Sequence, residues 1–106
     1  LSGAESALSG ARLSKHLSQL EKYGEAGFQE LENGSIQYFG KIRPATNPGE
    51  MIGARVIREW NPVSNTTKTW METLDQSGMV RIIRPENGGP KIHYMYDALG
   101  NFTGAY

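Results

Sequence analysis

Apolar residues recur at three- and four-residue steps through Leu13, Leu17, Leu20, Gly24, Phe28 and Leu31, the spacing of one stripe along an amphipathic helix. Glu21, Lys22, Glu25, Gln29 and Glu30 fall largely off that stripe. The pattern predicts helix from Ala11 onward, stopped by Asn33-Gly34. Gly24 and Gly27 each weaken it by about 1 kcal/mol relative to Ala. A break near Tyr23-Gly24, giving two shorter helices, fits the same pattern.

Beyond Gly34 the period changes to that of strands. Ile36, Tyr38 and Ile42 alternate with Gln37, Phe39, Lys41 and Arg43 until Pro44 ends the run. Residues 45–51 read as a loop or short turn. Further strands are expected at 55–60, 68–74, 79–84, 91–96 and 102–106, separated by Asn-, Gly- and Pro-rich turns. Short turns between successive strands predict an antiparallel meander. The fold expected is α+β: one or two N-terminal helices packed on one face of a five- or six-stranded antiparallel sheet.

Residues 1–10 are small and polar, which is linker composition, so the domain is expected at 11–106. At 106 residues one domain with a modest core is expected. The first residue is Leu, so the chain is read as a product cut from, or a domain of, a longer protein. No cysteine is present, which excludes disulfides, thiolate catalysis and Cys-based zinc sites. Neither a His-x-x-x-His pair nor an Asp-rich calcium loop occurs, so no metal or cofactor is expected. No run is long and apolar enough to span a membrane, and no membrane anchor is expected. Net charge is zero, which argues against holding nucleic acid by bulk electrostatics. The distribution is uneven: acids lead five to three up to Gly40, and bases lead eight to six from Lys41, five of them Arg. Arg suits bidentate phosphate contacts.

The stretch from Thr69 to Arg84 reads as a hairpin closed by Asp75-Gln76-Ser77-Gly78. A turn centred on Gln76-Ser77 sets Glu72 opposite Arg81 on one face. In simple register that face carries Trp70, Glu72, Arg81, Ile83, Ile92, Tyr94 and Tyr96. The other carries Thr69, Met71, Thr73, Val80, Ile82, Arg84, Lys91, His93 and Met95, and its Met and aliphatic residues make it look more like core. Clustered Glu, Arg, His and Tyr suit RNA cleavage by attack of the ribose 2′-OH on its own phosphate, which needs a base, an acid and cations but no cofactor. Glu72 is the candidate base and His93 or His16 the candidate acid. Arg55, Arg58, Arg81, Arg84 and Lys91 are candidate phosphate ligands. Tyr94, Tyr96 or Phe102 could stack on an unpaired base. Each has a plainer reading: a surface ion pair for Glu72 and Arg81, a half-buried structural His93, a helix-surface or packing His16, and aromatic residues in the core.

The blocks Leu13-Ser14-Lys15-His16-Leu17 through Tyr23-Gly24, Pro48-Gly49-Glu50-Met51, Arg58-Glu59-Trp60-Asn61-Pro62 and Thr69-Trp70 resemble C-terminal toxin domains of bacterial polymorphic toxins. Those domains ride on Rhs-type, wall-associated or contact-dependent delivery proteins. The resemblance implies secretion or cell-surface delivery, action in the target-cell cytoplasm, and a cognate immunity protein. Thr69-Trp70-Met71-Glu72 followed by Ser77-Gly78, Arg81 and Arg84 is similar to the base-bearing strand and arginines of barnase-like metal-independent ribonucleases, a group that includes colicin-type transfer-RNA cleavers. The chain departs from that group in its last hairpin turn, where Asp97-Ala98-Leu99-Gly100-Asn101 stands in place of the acid His. The segment Tyr96 to Thr103 is similar to the Tyr-Asp repeat of Rhs shells, and a single copy reads as hairpin chemistry.

The function expected is therefore a toxin domain that cleaves RNA, transfer RNA or another structured RNA, without metal. The rivals are a non-enzymatic protein-binding sheet module, such as an immunity or carrier component, and a toxin of another chemistry such as a DNase.

Overall fold

The computed structural model describes residues 8–47 and 49–106. Residues 1–7 of the expected linker, and Pro48 of the block quoted above, lie outside them. Among the described residues one helix, α1 (Gly10–Tyr23), precedes eight strands. These are β1 (Phe28–Glu30), β2 (Ile36–Phe39), β3 (Arg43–Pro44), β4 (Met51–Asn61), β5 (Thr66–Asp75), β6 (Val80–Pro85), β7 (Tyr94–Tyr96) and β8 (Phe102–Ala105). They form an open antiparallel sheet in the order β1-β2-β4-β5-β6-β7-β8, with β3 also paired to β4. The α+β class is as expected, and the described residues hold one helix and more strands than the five or six expected. Among the described residues no helix is long and apolar enough to cross a membrane.

The helical pattern breaks at Gly24. This residue caps α1 through its N–H to the Leu20 carbonyl, and a Cβ there would collide with that same carbonyl and the Leu20 side chain. Gly27 then takes φ +116°, a conformation that ends any helical continuation. Phe28, read as helix from its spacing, pairs with Tyr38 in β1–β2 instead.

The chain divides into two compact units, residues 8–41 with Ile57–Lys68, and Ile42–Val56 with Thr69–Tyr106. The first holds the main core. Ile36, Tyr38 and Trp60 are buried, with Leu8, Leu20, Tyr23 and Phe28 packed against them. Burying each large apolar side chain contributes roughly 1.5–3 kcal/mol. Ile36 pairs with Trp60 and Tyr38 with Arg58 across β2–β4, so these four share a face. The helix buries His16 and Gln19, whereas Leu17 is 48% exposed. The buried helical face thus runs through Leu13, His16, Gln19, Leu20 and Tyr23, rotated from the expected stripe because His16 supplies a core contact.

In the same unit Asn65 follows the Asn61-Pro62 turn with φ +56°, a left-handed conformation that Asn tolerates better than most side chains. Its Oδ1 accepts hydrogen bonds from the Trp60 indole at 3.1 Å and from Lys15 Nζ at 2.6 Å.

The second unit is built from strands alone. Leu74 is its one buried large apolar residue among those described, and β6 and β7 are half-buried along their lengths. Two of its turns share one design. Asp75 Oδ1 accepts from the N–H groups of Ser77 and Met79, and Asp97 Oδ1 accepts from those of Leu99 and Asn101. Each turn then passes through a glycine at positive φ, Gly78 or Gly100.

Candidate functional site

The Asp75 turn changes the hairpin register. Asp75 N–H donates to the Met79 carbonyl, so the loop is longer than a two-residue turn, and a register shift falls between Thr73 and Leu74. Glu72 therefore stands opposite Ile83, not Arg81. From Trp70 to Thr73 the displacement is two residues, an even number, so the face groupings survive there. Past the shift Leu74 pairs with Val80, which puts Val80 on the Glu72 face. Trp70, Glu72, Ile83 and Tyr94 share one face. Met71, Thr73, Ile82, Arg84 and Met95 share the other.

On the first face Glu72 accepts three hydrogen bonds. Its Oε1 accepts from Arg55 Nε at 3.1 Å and from the terminal nitrogen of the same guanidinium at 3.0 Å. Its Oε2 accepts from the Trp70 indole at 2.9 Å. The carboxylate side chain is 13% exposed. Trp70, which the sequence did not single out, sits two residues away on the same strand face and completes this set. Tyr94 lies near Phe102, with ring centroids 6.5 Å apart.

Arg81 is committed elsewhere. It bonds Glu50 at 2.7 Å, Asp75 at 3.4 Å and the Tyr96 carbonyl at 2.8 Å. Hydrogen bonding to Glu50, with Asp75 adding to it, raises the guanidinium above its ordinary pKa. The Asp75 carboxyl is lowered, first by the Ser77 hydroxyl and then by the Met79 and Ser77 backbone N–H groups and Arg81. Asp97 is likewise lowered, chiefly by the Asn101 backbone N–H.

The second face holds a different arrangement. Met71 pairs with Arg84 across β5–β6. In β6–β7 Ile82 pairs with Met95 and Ile83 with Tyr94, and Arg84 and His93 are the next residues along each strand beyond that paired segment. His93 and Tyr106 exchange backbone hydrogen bonds of 2.9 and 3.1 Å. Met71, Arg84, His93 and Tyr106 thus form a row across four chain segments. The His93 and Tyr106 rings stack with centroids 4.5 Å apart and planes 5° from parallel. One Arg84 terminal nitrogen donates to Glu86 at 2.6 Å and also contacts the Met71 sulfur. Arg84 Nε and His93 Nδ1, by contrast, are buried without a hydrogen-bond partner. Leaving buried polar atoms unmade costs about 1–3 kcal/mol each, and such groups call for a functional or ligand explanation.

Glu72 and His93 are consequently not brought together, because His93 and Tyr94 are successive residues whose side chains take opposite faces. Lys91 is exposed just before this row. Two further candidates belong to the first unit. His16 is fully buried, its Nδ1 2.8 Å from the Tyr38 hydroxyl and its ring edge-on to Phe28 at 4.8 Å. Burial pushes the Tyr38 phenol far above its ordinary pKa, so the hydroxyl keeps its proton beside the imidazole. Arg58 bonds Gln19 at 3.3 Å and lies over the Tyr23 ring at 4.7 Å, which ties it to the helix. Tyr106 is the member of the row that the sequence reading missed. Alternation through His93 into the last strand is the signal that would have found it.

Among the described residues no group of three or more His, Asp or Glu is placed to hold a metal ion. No family model, curated protein or solved structure matches the chain.

Proposed function

We propose that this chain is an antibacterial toxin domain that cleaves RNA, transfer RNA or another structured RNA, without a metal. In this reading it is delivered by a larger secreted protein and neutralised by an immunity protein. The observation that carries the reading is the under-satisfied pair Arg84 Nε and His93 Nδ1 on one sheet face. A cation and a proton-transfer group side by side are the minimum that 2′-OH attack on a phosphodiester asks of a protein. Both residues are half-buried, so part of each side chain reaches solvent.

The reaction then runs as an internal displacement. The His93 imidazole takes the 2′-OH proton as that oxygen bonds phosphorus, and the bond to the 5′ oxygen breaks. The imidazolium returns the proton to the departing oxygen. Arg84 neutralises the charge that gathers on the phosphoryl oxygens. The products are a 2′,3′-cyclic phosphate and a 5′-hydroxyl, and no co-reactant is consumed. Glu72, bonded by Arg55 and Trp70, joins strands on the opposite face.

Total RNA incubated with the domain in EDTA tests this. Discrete fragments ending in 2′,3′-cyclic phosphate are expected, and His93→Gln should slow their appearance by roughly 10²–10⁴-fold. RNA left intact in EDTA, with cleavage restored by magnesium, would refute the scheme.

A further inference from the structure

The row on the second face does not end at the imidazole. Tyr106 lies beyond it, with one ring face against His93, yet the residue is 63% exposed. β8, which leads into Tyr106, is the last strand in the sheet order among the described residues. The mutual backbone bonds between His93 and Tyr106 set the two residues side by side, and their rings stack. The Tyr106 ring is thus paired on one face while the residue stays largely exposed.

We infer that Tyr106 is the stacking platform for an unpaired nucleobase whose neighbouring phosphate lies on Arg84 and His93. This rests on the phosphate reading above and adds the substrate class, which is RNA with its bases unpaired at the site. The geometry fits in three respects. The imidazole and phenol rings are already parallel, so a base on the outer face extends the stack by one layer. His93 and the platform are neighbouring members of one row with ring centroids 4.5 Å apart, so a base on the far face of Tyr106 lies one ring layer beyond it from a phosphate held at His93. Lastly, stacking on an aromatic face needs no particular hydrogen-bonding edge, so the platform selects unpaired bases rather than a sequence. A base within a duplex offers its face only to its neighbours and cannot reach the ring.

Binding measured by NMR on the full chain separates the parts. The probes are inorganic phosphate, a dinucleotide with 2′-deoxyribose at the first sugar to block cleavage, and the abasic analogue of that dinucleotide. All three should shift the Arg84 Nε and His93 ring nitrogen signals. The dinucleotide with bases should bind about tenfold more tightly than the abasic one, in line with base–aromatic stacking, and should alone move the Tyr106 ring protons upfield. Tyr106→Leu should erase that tenfold preference, while Tyr106→Trp keeps it, with thermal unfolding confirming that both variants fold. Arg84 and His93 shifts with equal affinity for the two dinucleotides would overturn the platform and leave the phosphate site standing. Unmoved Arg84 and His93 signals at saturating phosphate would instead remove the phosphate site, and the platform with it.

Discussion

The Tyr38 hydroxyl and His16 Nδ1 meet at 2.8 Å where neither residue has any exposed surface. A buried hydrogen bond of this kind is asymmetric in its effect: it adds little when made and costs much when half of it is removed. Tyr38→Phe leaves the imidazole nitrogen sealed in the core without this partner. A loss of roughly 1–3 kcal/mol in urea unfolding is expected, with no effect on the pH profile of RNA cleavage. A shifted profile would give His16 a place in the chemistry.

Glu72 and His93 make opposite predictions. Glu72→Gln removes the charge that Arg55 and Trp70 surround, and should lower stability by about 1–3 kcal/mol. Measured on folded protein, it should change the cleavage rate by less than about threefold, whereas His93→Gln removes an interaction made in the transition state. A large rate loss in folded Glu72→Gln would move the reaction to the other sheet face.

Leu17 and Leu20 distinguish the stripe read from sequence from the face the helix buries. Leu17 is largely exposed, so Leu17→Lys should stay within about 0.5 kcal/mol of the parent. Leu20 packs against the core cluster and Leu20→Ala should cost roughly 2 kcal/mol or more. Thermal or urea denaturation of the two variants is sufficient.

Acid should unfold the protein through its two Asp-closed turns. The Asp75 and Asp97 carboxyls both lie below the ordinary value of 3.8 in the folded chain. Lowering the pH therefore protonates them in the unfolded chain first. Their contribution is fully present above that ordinary value and is lost as pH falls through the folded ones. The melting temperature should drop steeply below about pH 4, and Asp75→Asn should flatten that part of the curve. A slope unchanged in Asp75→Asn would place the acid sensitivity elsewhere.

Much of the sheet was legible in the sequence because strand alternation survives errors of two. The hairpin register was misread by that amount, since the Asp75 carboxylate gathers backbone N–H groups into a wider loop. Trp70, Glu72, Ile83 and Tyr94 nevertheless stayed on one face and Met71, Thr73, Ile82, Arg84 and Met95 on the other. Val80, paired with Leu74 past the shift, changed sides. The first strand was not legible. Phe28 falls on helical spacing, and only the packing of Gly24 against Leu20 shows why the helix cannot reach it. The candidate residues were visible as types, but their grouping was not. That Glu72 is bonded by Arg55 depends on a contact that crosses strands, and that His93 Nδ1 is left short of a partner depends on which side chains fold over it.

Asn65 shows how narrow sequence space becomes where one atom has two duties. Its Oδ1 serves both Trp60 and Lys15, while its backbone sits at φ +56°. Glycine would suit that backbone and drop both donors. Gln would carry the oxygen on a stem too long for the place, and a β-branched residue would resist the conformation. Asp alone shares the short acceptor and the tolerance for left-handed backbone. A library varied at position 65 should therefore return Asn and Asp among its folded members and little else.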